Sequence, residues 1–474
     1  MRRLLLILAI TLLVGCVAPA GCTVDKTFAP TLAAAPSPTP APRFSVNLHP
    51  DGPLYVGDQV SFEIITPTSF EPHDKQVEVR LGDQVIGRAG FNPYGLAGRQ
   101  QATMWWVWDT STLEPGVQKL SFAFTPDGPT WQQSIHLLPR DSLPASERDA
   151  HWESLVTECC TLNYITGTDA ARDIQKLGQT ADTIISRLSS SNPISSNEKI
   201  PIVIMSRTLG HGGFTTDAIY VSYLDRNYAG STFDMILNHE AVHWFDNKLG
   251  GDLRPTIFLE GLAVYQTGGH FKPEALIPRA AALPGLNWYI PLKSLADSFY
   301  PSQHEVGYLE AGALVQYLVE TYGWQAFNSF YRDIHPSPSG LQSEAIDRAL
   351  QTHFSLTLDQ LESNFLAQLK SQPVDLSLID DVRSSVQFYD TVRRYQQLFD
   401  PSAYFQTAWL ADASTMRQKN ITADYIRRPD GLLNQYLETL LVETDTALRS
   451  GDYTNTAQKL KALNVMLDIL EKSK

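Results

Sequence analysis

Between about residues 44 and 141, hydrophobic and polar positions alternate with a period of two residues. Such alternation is typical of strands that bury one face. Turn-forming combinations of proline, glycine and aspartate separate the alternating segments, which include residues 59–64, 76–81 and 118–124. Short strands at this spacing predict a β-sandwich of immunoglobulin-like type, without the cysteine pair of antibody domains.

Over residues 145–373 the pattern changes to strands interleaved with helices. Strands are predicted near residues 159–166 and 200–205, with a helix at 169–188 between them. The apolar positions that follow recur at helical spacing, so the whole segment predicts an α+β domain. Residues 374–474 are predicted to be helical and to end in a helical hairpin. A structural cap is favoured for this region, with a partner-binding module as the alternative.

The pentapeptide His-Glu-Ala-Val-His at residues 239–243 lies within an apolar helical segment. Residues four apart share one face of a helix, so His239 and His243 can direct their imidazoles at one metal ion. Glu240 then lies beside the metal, where its carboxylate can take a proton from zinc-activated water. The spacing therefore predicts a zinc site in which Glu240 is the general base.

A catalytic zinc ion takes three protein ligands and keeps a fourth position open. Glu260 is the best candidate for the third ligand, because residues 255–265 predict a second helix that starts at a proline and ends at a glycine pair. The turn signal at residues 249–252 brings the two helices roughly antiparallel. The predicted Zn²⁺ ligands are therefore His239, His243 and Glu260.

Metal-binding histidines usually donate their other ring nitrogen to a carboxylate or a carbonyl. Asn238 and Asp246, on the same helix, are the candidate partners, and the sequence does not choose between them.

The zinc segment and residues 258–265 resemble the gluzincin peptidases, especially the aminopeptidase N branch and bacterial peptidase MA-like domains. The resemblance covers roughly residues 150–370 and implies a thermolysin-like α+β fold. Residues 308–318 resemble the helix that follows the zinc site in that branch, whose leading tyrosine stabilises the oxyanion. The resemblance implies that role for Tyr308, since a phenol can donate the required hydrogen bond. His304, four residues earlier, is the alternative donor.

Two departures from the aminopeptidase pattern bear on the activity. The segment between His243 and Glu260 is slightly shorter, and the Gly-x-Met-Glu-Asn element that holds the substrate's amino terminus is not found. Residues 212–221 are the local equivalent and end in a strand that could pair with the substrate backbone. Asp217 is a candidate amine anchor, although an aspartate near a strand start is more often a turn residue. Endopeptidase activity is therefore favoured over aminopeptidase activity.

These features predict a membrane-anchored, extracytoplasmic zinc metallopeptidase that acts on a peptide or protein substrate. The competing hypothesis is a catalytically silent or narrow-specificity surface scaffold or adhesin that retains the peptidase fold. The presence of Glu240 favours the enzyme, since zinc binds without this base whereas hydrolysis by the usual route requires it.

The amino terminus predicts export and lipidation. Two arginines precede an apolar run at residues 4–14 that is too short to span a bilayer comfortably. The sequence Leu-Val-Gly-Cys that ends at Cys16 resembles a lipobox, which predicts a lipoprotein signal peptide over residues 1–15. A plain signal peptide cut nearby is the alternative. Residues 16–43, rich in proline and alanine, are the predicted tether of a bacterial membrane lipoprotein at the cell surface or in the periplasm.

Charge and cysteine content bear on the binding partners and on the disulfides of the protein. The formal net charge of −14 at pH 7 argues against a nucleic-acid partner. Of the four cysteines, Cys16 and Cys22 precede the predicted domains. The adjacent Cys159 and Cys160 are expected to face opposite sides of a strand, with a strained disulfide ring as the alternative. No disulfide framework is predicted.

Overall fold

The structure is a computed structural model. It describes the following residues: 44–67, 70–94, 99–191, 199–207, 212–223, 227–228, 230–406 and 413–472. The predicted signal peptide, the tether and Cys16 lie outside these ranges. Within the described ranges, no helix is both long enough and apolar enough to cross a membrane.

The first part of the described chain is rich in sheet. Its strands are β1 (Ser45–His49), β2 (Leu54–Tyr55), β3 (Gln59–Ile65), β4 (Gln76–Leu81), β5 (Gln84–Gly90), β6 (Asn92–Tyr94), β7 (Arg99–Asp109), β8 (Gly116–Thr125) and β9 (Thr130–Leu138). In the described residues they form one sheet in the order β1-β3-β7-β6 and a second in the order β2-β9-β8-β4-β5. Side chains from both sheets share a core that includes Phe62, Val79 and Phe122. The prediction that this region is rich in sheet is confirmed, while its division as a separate domain and its immunoglobulin-like type stay predictions.

A mixed sheet forms the middle of the molecule. A short 3₁₀ helix (Arg140–Ser142) and α1 (Ala145–Arg148) precede its strands β10 (Trp152–Val156), β11 (Cys160–Ile165), β12 (Ile200–Met205), β13 (Gly213–Thr215) and β14 (Ile219–Ser222). The strand order is β10-β11-β12-β14-β13. The three central strands are parallel, and β10 and β13 pair antiparallel at the edges.

Two helices cover one face of this sheet. They are α2 (Asp169–Ser191) and α3 (Phe233–Leu249). Apolar side chains of the sheet, such as Ile202 and Val221, share the main core with Leu177 of α2 and Leu237 of α3. The site described below therefore lies on a helix that is packed against this sheet.

The rest of the described chain is helical. The helices are α4 (Thr256–Thr267), α5 (Leu276–Ala280), α6 (Ala282–Leu286), α7 (Leu292–Asp297), α8 (His304–Tyr322), α9 (Trp324–Arg332), α10 (Gln342–Phe354), α11 (Leu358–Lys370), α12 (Leu376–Phe399), α13 (Pro401–Gln406), α14 (Ala413–Gln418), α15 (Ala423–Ile426), α16 (Leu432–Arg449) and α17 (Tyr453–Lys472). Helices α12, α16 and α17 share a core that includes Tyr395, Leu441 and Leu463. The predicted helical carboxyl-terminal region and its hairpin are confirmed.

Most elements of the mixed sheet form where the sequence pattern predicts them, but β10 was not predicted. The strands β11 and β12 and the helix α2 form where they are predicted. Strand β10 lies at an edge of the sheet and leaves three of its five residues exposed. Its residues therefore lack the hydrophobic alternation that a half-buried strand would have.

The expectation that Cys159 and Cys160 face opposite sides of a strand is wrong, because a disulfide joins them. Cys159 lies in the bend before β11 rather than in the strand, so its side chain does not follow the strand's alternation. The bend is held by Asp182 of α2. Its Oδ1 accepts hydrogen bonds from the backbone N–H of Cys159 and the hydroxyl of Thr157, each at 2.8 Å.

Candidate metal centre

The helices α3 and α4 carry the three predicted ligands. His239 and His243 lie four residues apart on α3, which ends at Gly250 with a positive φ of 78°. A positive φ suits glycine, and here it turns the chain back towards the start of α4 at Pro255. Glu260 then reaches the two histidines from α4, as the sequence predicts.

Gly261, the next residue on α4, sets how closely this helix approaches α8. A Cβ atom at this position would lie 2.5 Å from the carbonyl oxygen of Ala311, which is far inside normal contact. Only glycine allows the two helices this separation. The close packing fixes the backbone from which Glu260 extends.

The ligand atoms of the three residues converge on one point. His239 Nε2 and His243 Nε2 are 3.2 Å apart, and Glu260 Oε2 lies 3.4 Å from the first and 3.2 Å from the second. In a tetrahedral zinc site with bonds of about 2.0–2.2 Å, neighbouring ligand atoms lie about 3.3–3.6 Å apart. The three atoms thus have close to the separations of three corners of such a tetrahedron, and the residues fit a zinc ion.

Burial and mutual charge set the ionisation of these groups. The side chains of His239, His243 and Glu260 are only 11%, 13% and 8% exposed. Burial lowers the pKa of His239 to about 4. Burial also disfavours a charge on His243, but the carboxylate of Glu260 outweighs it and raises the pKa of His243 to about 9. Burial likewise acts to raise the pKa of Glu260, yet the two histidines hold it well below its usual value. Glu260 is therefore an ionised carboxylate, the form that binds a cation.

Glu240 lies on α3 beside strand β13, at the edge of the mixed sheet. The Thr215 hydroxyl lies 3.0 Å from Glu240 Oε2 and 2.8 Å from the Glu240 carbonyl oxygen. Gly213 permits this proximity, because a Cβ atom there would lie 2.9 Å from Glu240 Cγ. Burial raises the pKa of Glu240 to about 7. A carboxylate with this pKa is suited to act as a general base near neutral pH.

Asp217, the candidate amine anchor, is engaged within its own turn. Its Oδ1 accepts hydrogen bonds from the hydroxyls of Thr216 and Tyr220, each at 2.9 Å. These contacts support the turn alternative for Asp217. A strand, β14, forms at the end of residues 212–221 as predicted, but β12 and β13 pair with its two sides, so it is not the edge strand. The edge of the sheet is β13, at the start of that segment.

Tyr308 and His304 both lie on α8, near the cluster. The ring of Tyr308 is 6.2 Å from the ring of His239, and burial raises the pKa of its hydroxyl well above the ordinary value. The phenol therefore stays protonated and able to donate. His304 Nδ1 faces Glu305 at 3.6 Å, and its ring stacks on Tyr389 at 4.6 Å. The oxyanion role of either residue stays a prediction.

Tyr300, between α7 and α8, is a site residue that the sequence analysis missed. Its hydroxyl donates a 2.8 Å hydrogen bond to Glu260 Oε1, the oxygen that does not face the histidines. The side chain is 47% exposed, so it lies at the boundary between the ligands and solvent. No motif or periodicity marks this position, because only the fold brings the loop over Glu260.

The expected partners of the histidine Nδ1 atoms are not found. Asn238 accepts a hydrogen bond from Arg187 at 2.7 Å, and Asp246 binds Arg332 at 2.6 Å. The Nδ1 atoms of His239 and His243 are buried and make no hydrogen bond with the described residues. The prediction that Asn238 or Asp246 orients these rings is therefore wrong. Both side chains instead bind arginines, namely Arg187 and Arg332.

Comparison with known proteins gives one distant structural similarity and no family. No family model matches the chain, and no curated protein matches it. Among solved structures, the chain is similar to the crystal structure of an aminopeptidase N family protein from Idiomarina loihiensis, with 9% identity and a TM-score of 0.27. The match covers 71% of this chain and 78% of that chain. Similarity at this level assigns neither a family nor an activity.

Proposed function

We propose that this protein is a zinc-dependent hydrolase and, more narrowly, a gluzincin-type metallopeptidase. The observation that carries the proposal is the convergence of His239 Nε2, His243 Nε2 and Glu260 Oε2 to within 3.4 Å of one another. Two imidazoles and one carboxylate, without cysteine, are typical of catalytic rather than structural zinc sites. Glu240 beside these ligands supplies the base that such hydrolases require.

In this proposal the three ligands would hold zinc, and each neighbouring residue has a separate task. When bound, zinc acts as a Lewis acid and makes water a nucleophile at neutral pH. Glu240 Oε2 accepts the proton of the attacking water and later gives it to the leaving amine. Thr215 orients this carboxylate through its hydroxyl, 3.0 Å away.

A tyrosine hydroxyl would donate to the negative charge that develops on the scissile carbonyl oxygen. We propose Tyr308, because its protonated phenol lies close to His239. Tyr300 is the second candidate, since its hydroxyl already lies on a ligand of the centre. His304 ranks third, because its ring is occupied by Glu305 and Tyr389.

The proposed substrate is an extended peptide bound along strand β13. An edge strand can pair with a peptide backbone, and Thr215 at the end of this strand contacts the proposed base. Asp217, the one candidate for an amine anchor, is turned into its own loop. Endopeptidase activity is therefore proposed over aminopeptidase activity.

We also propose the finer assignments of fold and location. They are an immunoglobulin-like domain at residues 44–141, a thermolysin-like peptidase domain at 145–373, and a lipid on Cys16 that anchors the chain outside a bacterial membrane. The location is supported by the sequence at residues 1–16. The disulfide between Cys159 and Cys160 agrees with an oxidising compartment.

The purified full chain tests the proposal through its zinc content and its cleavage of an unfolded protein, with and without a chelator. The expected result is bound zinc and cleavage that the chelator abolishes. Glu240→Gln should keep the zinc and lose cleavage, whereas Asp234→Asn, an exposed change on the same helix, should keep both. Zinc without cleavage in the unaltered chain would favour the surface scaffold, and absence of zinc would refute the proposal.

A further inference from the structure

A second group of two histidines and one glutamate lies next to the first. His270 follows α4, while His304 and Glu305 begin α8. His270 Nδ1 is 3.3 Å and His304 Nδ1 is 3.6 Å from Glu305 Oε1. Each of the three residues offers one possible ligand atom, and these atoms lie within 4.8 Å of one another. The rings of His239 and His270 are 5.6 Å apart, so the two groups are neighbours.

We propose that His270, His304 and Glu305 form a second divalent-cation site, suited to zinc or a transition metal with similar preferences. Imidazole and carboxylate are the ligand types that such ions take, and either ring nitrogen of histidine can serve. The distances of 3.3 and 3.6 Å fall within the range of about 3.3–3.6 Å expected between neighbouring ligands of a tetrahedral zinc ion. The two distances to Glu305 therefore match those of a tetrahedral site.

Burial strengthens the case for an ion. The side chains of His270, His304 and Glu305 are 8%, 11% and 7% exposed. A carboxyl group removed from water to this degree requires compensation, either by a nearby positive charge or by protonation. A divalent cation held by all three groups supplies that compensation, and a simple ion pair with one protonated histidine is the competing explanation that the experiment below excludes or supports.

Stacking holds both imidazole rings in place before any ion binds. His270 stacks on Tyr308 with ring centroids 4.1 Å apart, and His304 lies 4.4 Å from Tyr308 and 4.6 Å from Tyr389. Rings fixed by packing need little rearrangement to bind an ion, which favours affinity.

The surrounding charges are nearly balanced. Arg279 lies close to Glu305, but its guanidinium pairs with Glu274 and, at 2.8 Å, with Asp381. Arg393 acts on His304 with a positive charge, and Asp390 acts on Glu305 with a negative one. No net positive field from these residues therefore opposes a cation at the site.

The two groups are linked through Tyr308, which contacts His270 and His304 and lies 6.2 Å from His239. An ion held by the second group would fix the two rings that pack against this tyrosine. The second site shares no ligand with the first, so this proposal does not depend on the proposed peptidase activity.

Zinc stoichiometry of the full chain tests the site directly. The protein is stripped with a chelator, incubated with excess zinc, freed of unbound metal by gel filtration and analysed for zinc and protein. We expect two zinc ions per chain in the unaltered protein, one in His243→Ala, one in His304→Ala and none in the double variant. The control His335→Ala removes an exposed histidine that pairs with Asp252 and Asp333, and it should keep both ions.

The two proposed sites fail in distinguishable ways. One zinc per chain that is lost in His243→Ala and kept in His304→Ala would overturn the second site and leave the proposed peptidase intact. One zinc that is lost only in His304→Ala would support the second site and refute the first. Glu305→Gln, which preserves side-chain size, gives the same readout if His304→Ala does not fold, and its loss of one zinc is expected.

Discussion

The two groups of two histidines and one glutamate lie side by side, but they differ in the elements and the ring nitrogens that form them. In the first, α3 supplies two histidines that converge through Nε2, and Glu260 arrives from a separate helix. In the second, His304 and Glu305 are consecutive, and the Nδ1 atoms of His270 and His304 both face Glu305 Oε1. The residue that follows the first histidine of α3 is Glu240, the proposed general base, which is not a proposed ligand, whereas the residue that follows His304 is itself a proposed ligand. Both groups offer two histidines and one glutamate as ligands, but only the first has a further glutamate beside them. We therefore expect peptide hydrolysis at the first group only.

The largest expected effect separates these two glutamates. Glu240→Gln removes a base and should lower kcat for peptide cleavage by about 10²–10⁴-fold, with zinc content unchanged. Glu305→Gln removes a ligand and should cost one zinc. Initial rates and elemental analysis on the same samples check both statements. Loss of zinc in Glu240→Gln would contradict the assigned difference between the groups.

The next effect concerns Tyr308, which lies between the groups. Removing one donor to an oxyanion typically costs about 10²–10³-fold in kcat, so Tyr308→Phe should lose that much with little change in KM. Steady-state kinetics of Tyr300→Phe, measured in parallel, provide the comparison. A larger loss of kcat in Tyr300→Phe would transfer the oxyanion role to Tyr300.

A smaller effect is expected from the helix contact that joins the groups. Helix α4 carries Glu260 and α8 carries His304, and Gly261 sets their separation. Gly261→Ala forces a Cβ against the Ala311 carbonyl and should reduce the free energy of unfolding by about 1–3 kcal/mol. Urea denaturation measures the change. Gly285→Ala is the matched control, because a Cβ atom there meets nothing within 4 Å. Equal stability of the two variants would show that α4 and α8 can separate freely.

The smallest effect tests a residue that belongs to the first group alone. The hydrogen bond from Thr215 lowers the pKa of Glu240, partly offsetting the increase from burial that brings it to about 7. Thr215→Val removes this bond, so the pKa should rise and the acid limb of the kcat/KM profile should move to higher pH. Thr215→Ser should restore the original limb. An unchanged limb in Thr215→Val would mean that the hydroxyl does not orient the base.

The sequence was sufficient for the first group because its information is local. His239 and His243 are recognisable from helical spacing, and Glu260 from a short turn followed by a second helix. The turn glycines and the helix bounds occur where the pattern predicts them. Any fold that packs these two helices together brings the three side chains close to one another, so their positions in the sequence are enough to predict the group.

The second group and the contact of Tyr300 could not be predicted from the sequence, because tertiary packing alone brings these residues together. His270 lies after α4, and packing alone brings it to His304 and Glu305 at the start of α8. Tyr300 lies in a loop without periodicity, yet its hydroxyl reaches Glu260. The partners proposed for the histidine rings were wrong for a similar reason, since the arginines that bind Asn238 and Asp246 come from distant helices.

The most direct test of the central claim is zinc content measured together with chelator-sensitive cleavage of an unfolded protein by the purified full chain. The account predicts bound zinc that His243→Ala reduces by one ion per chain, and cleavage that is lost with that ion. Cleavage that persists in His243→Ala or in the presence of a chelator would contradict the account, as would a chain from which His243→Ala removes no zinc.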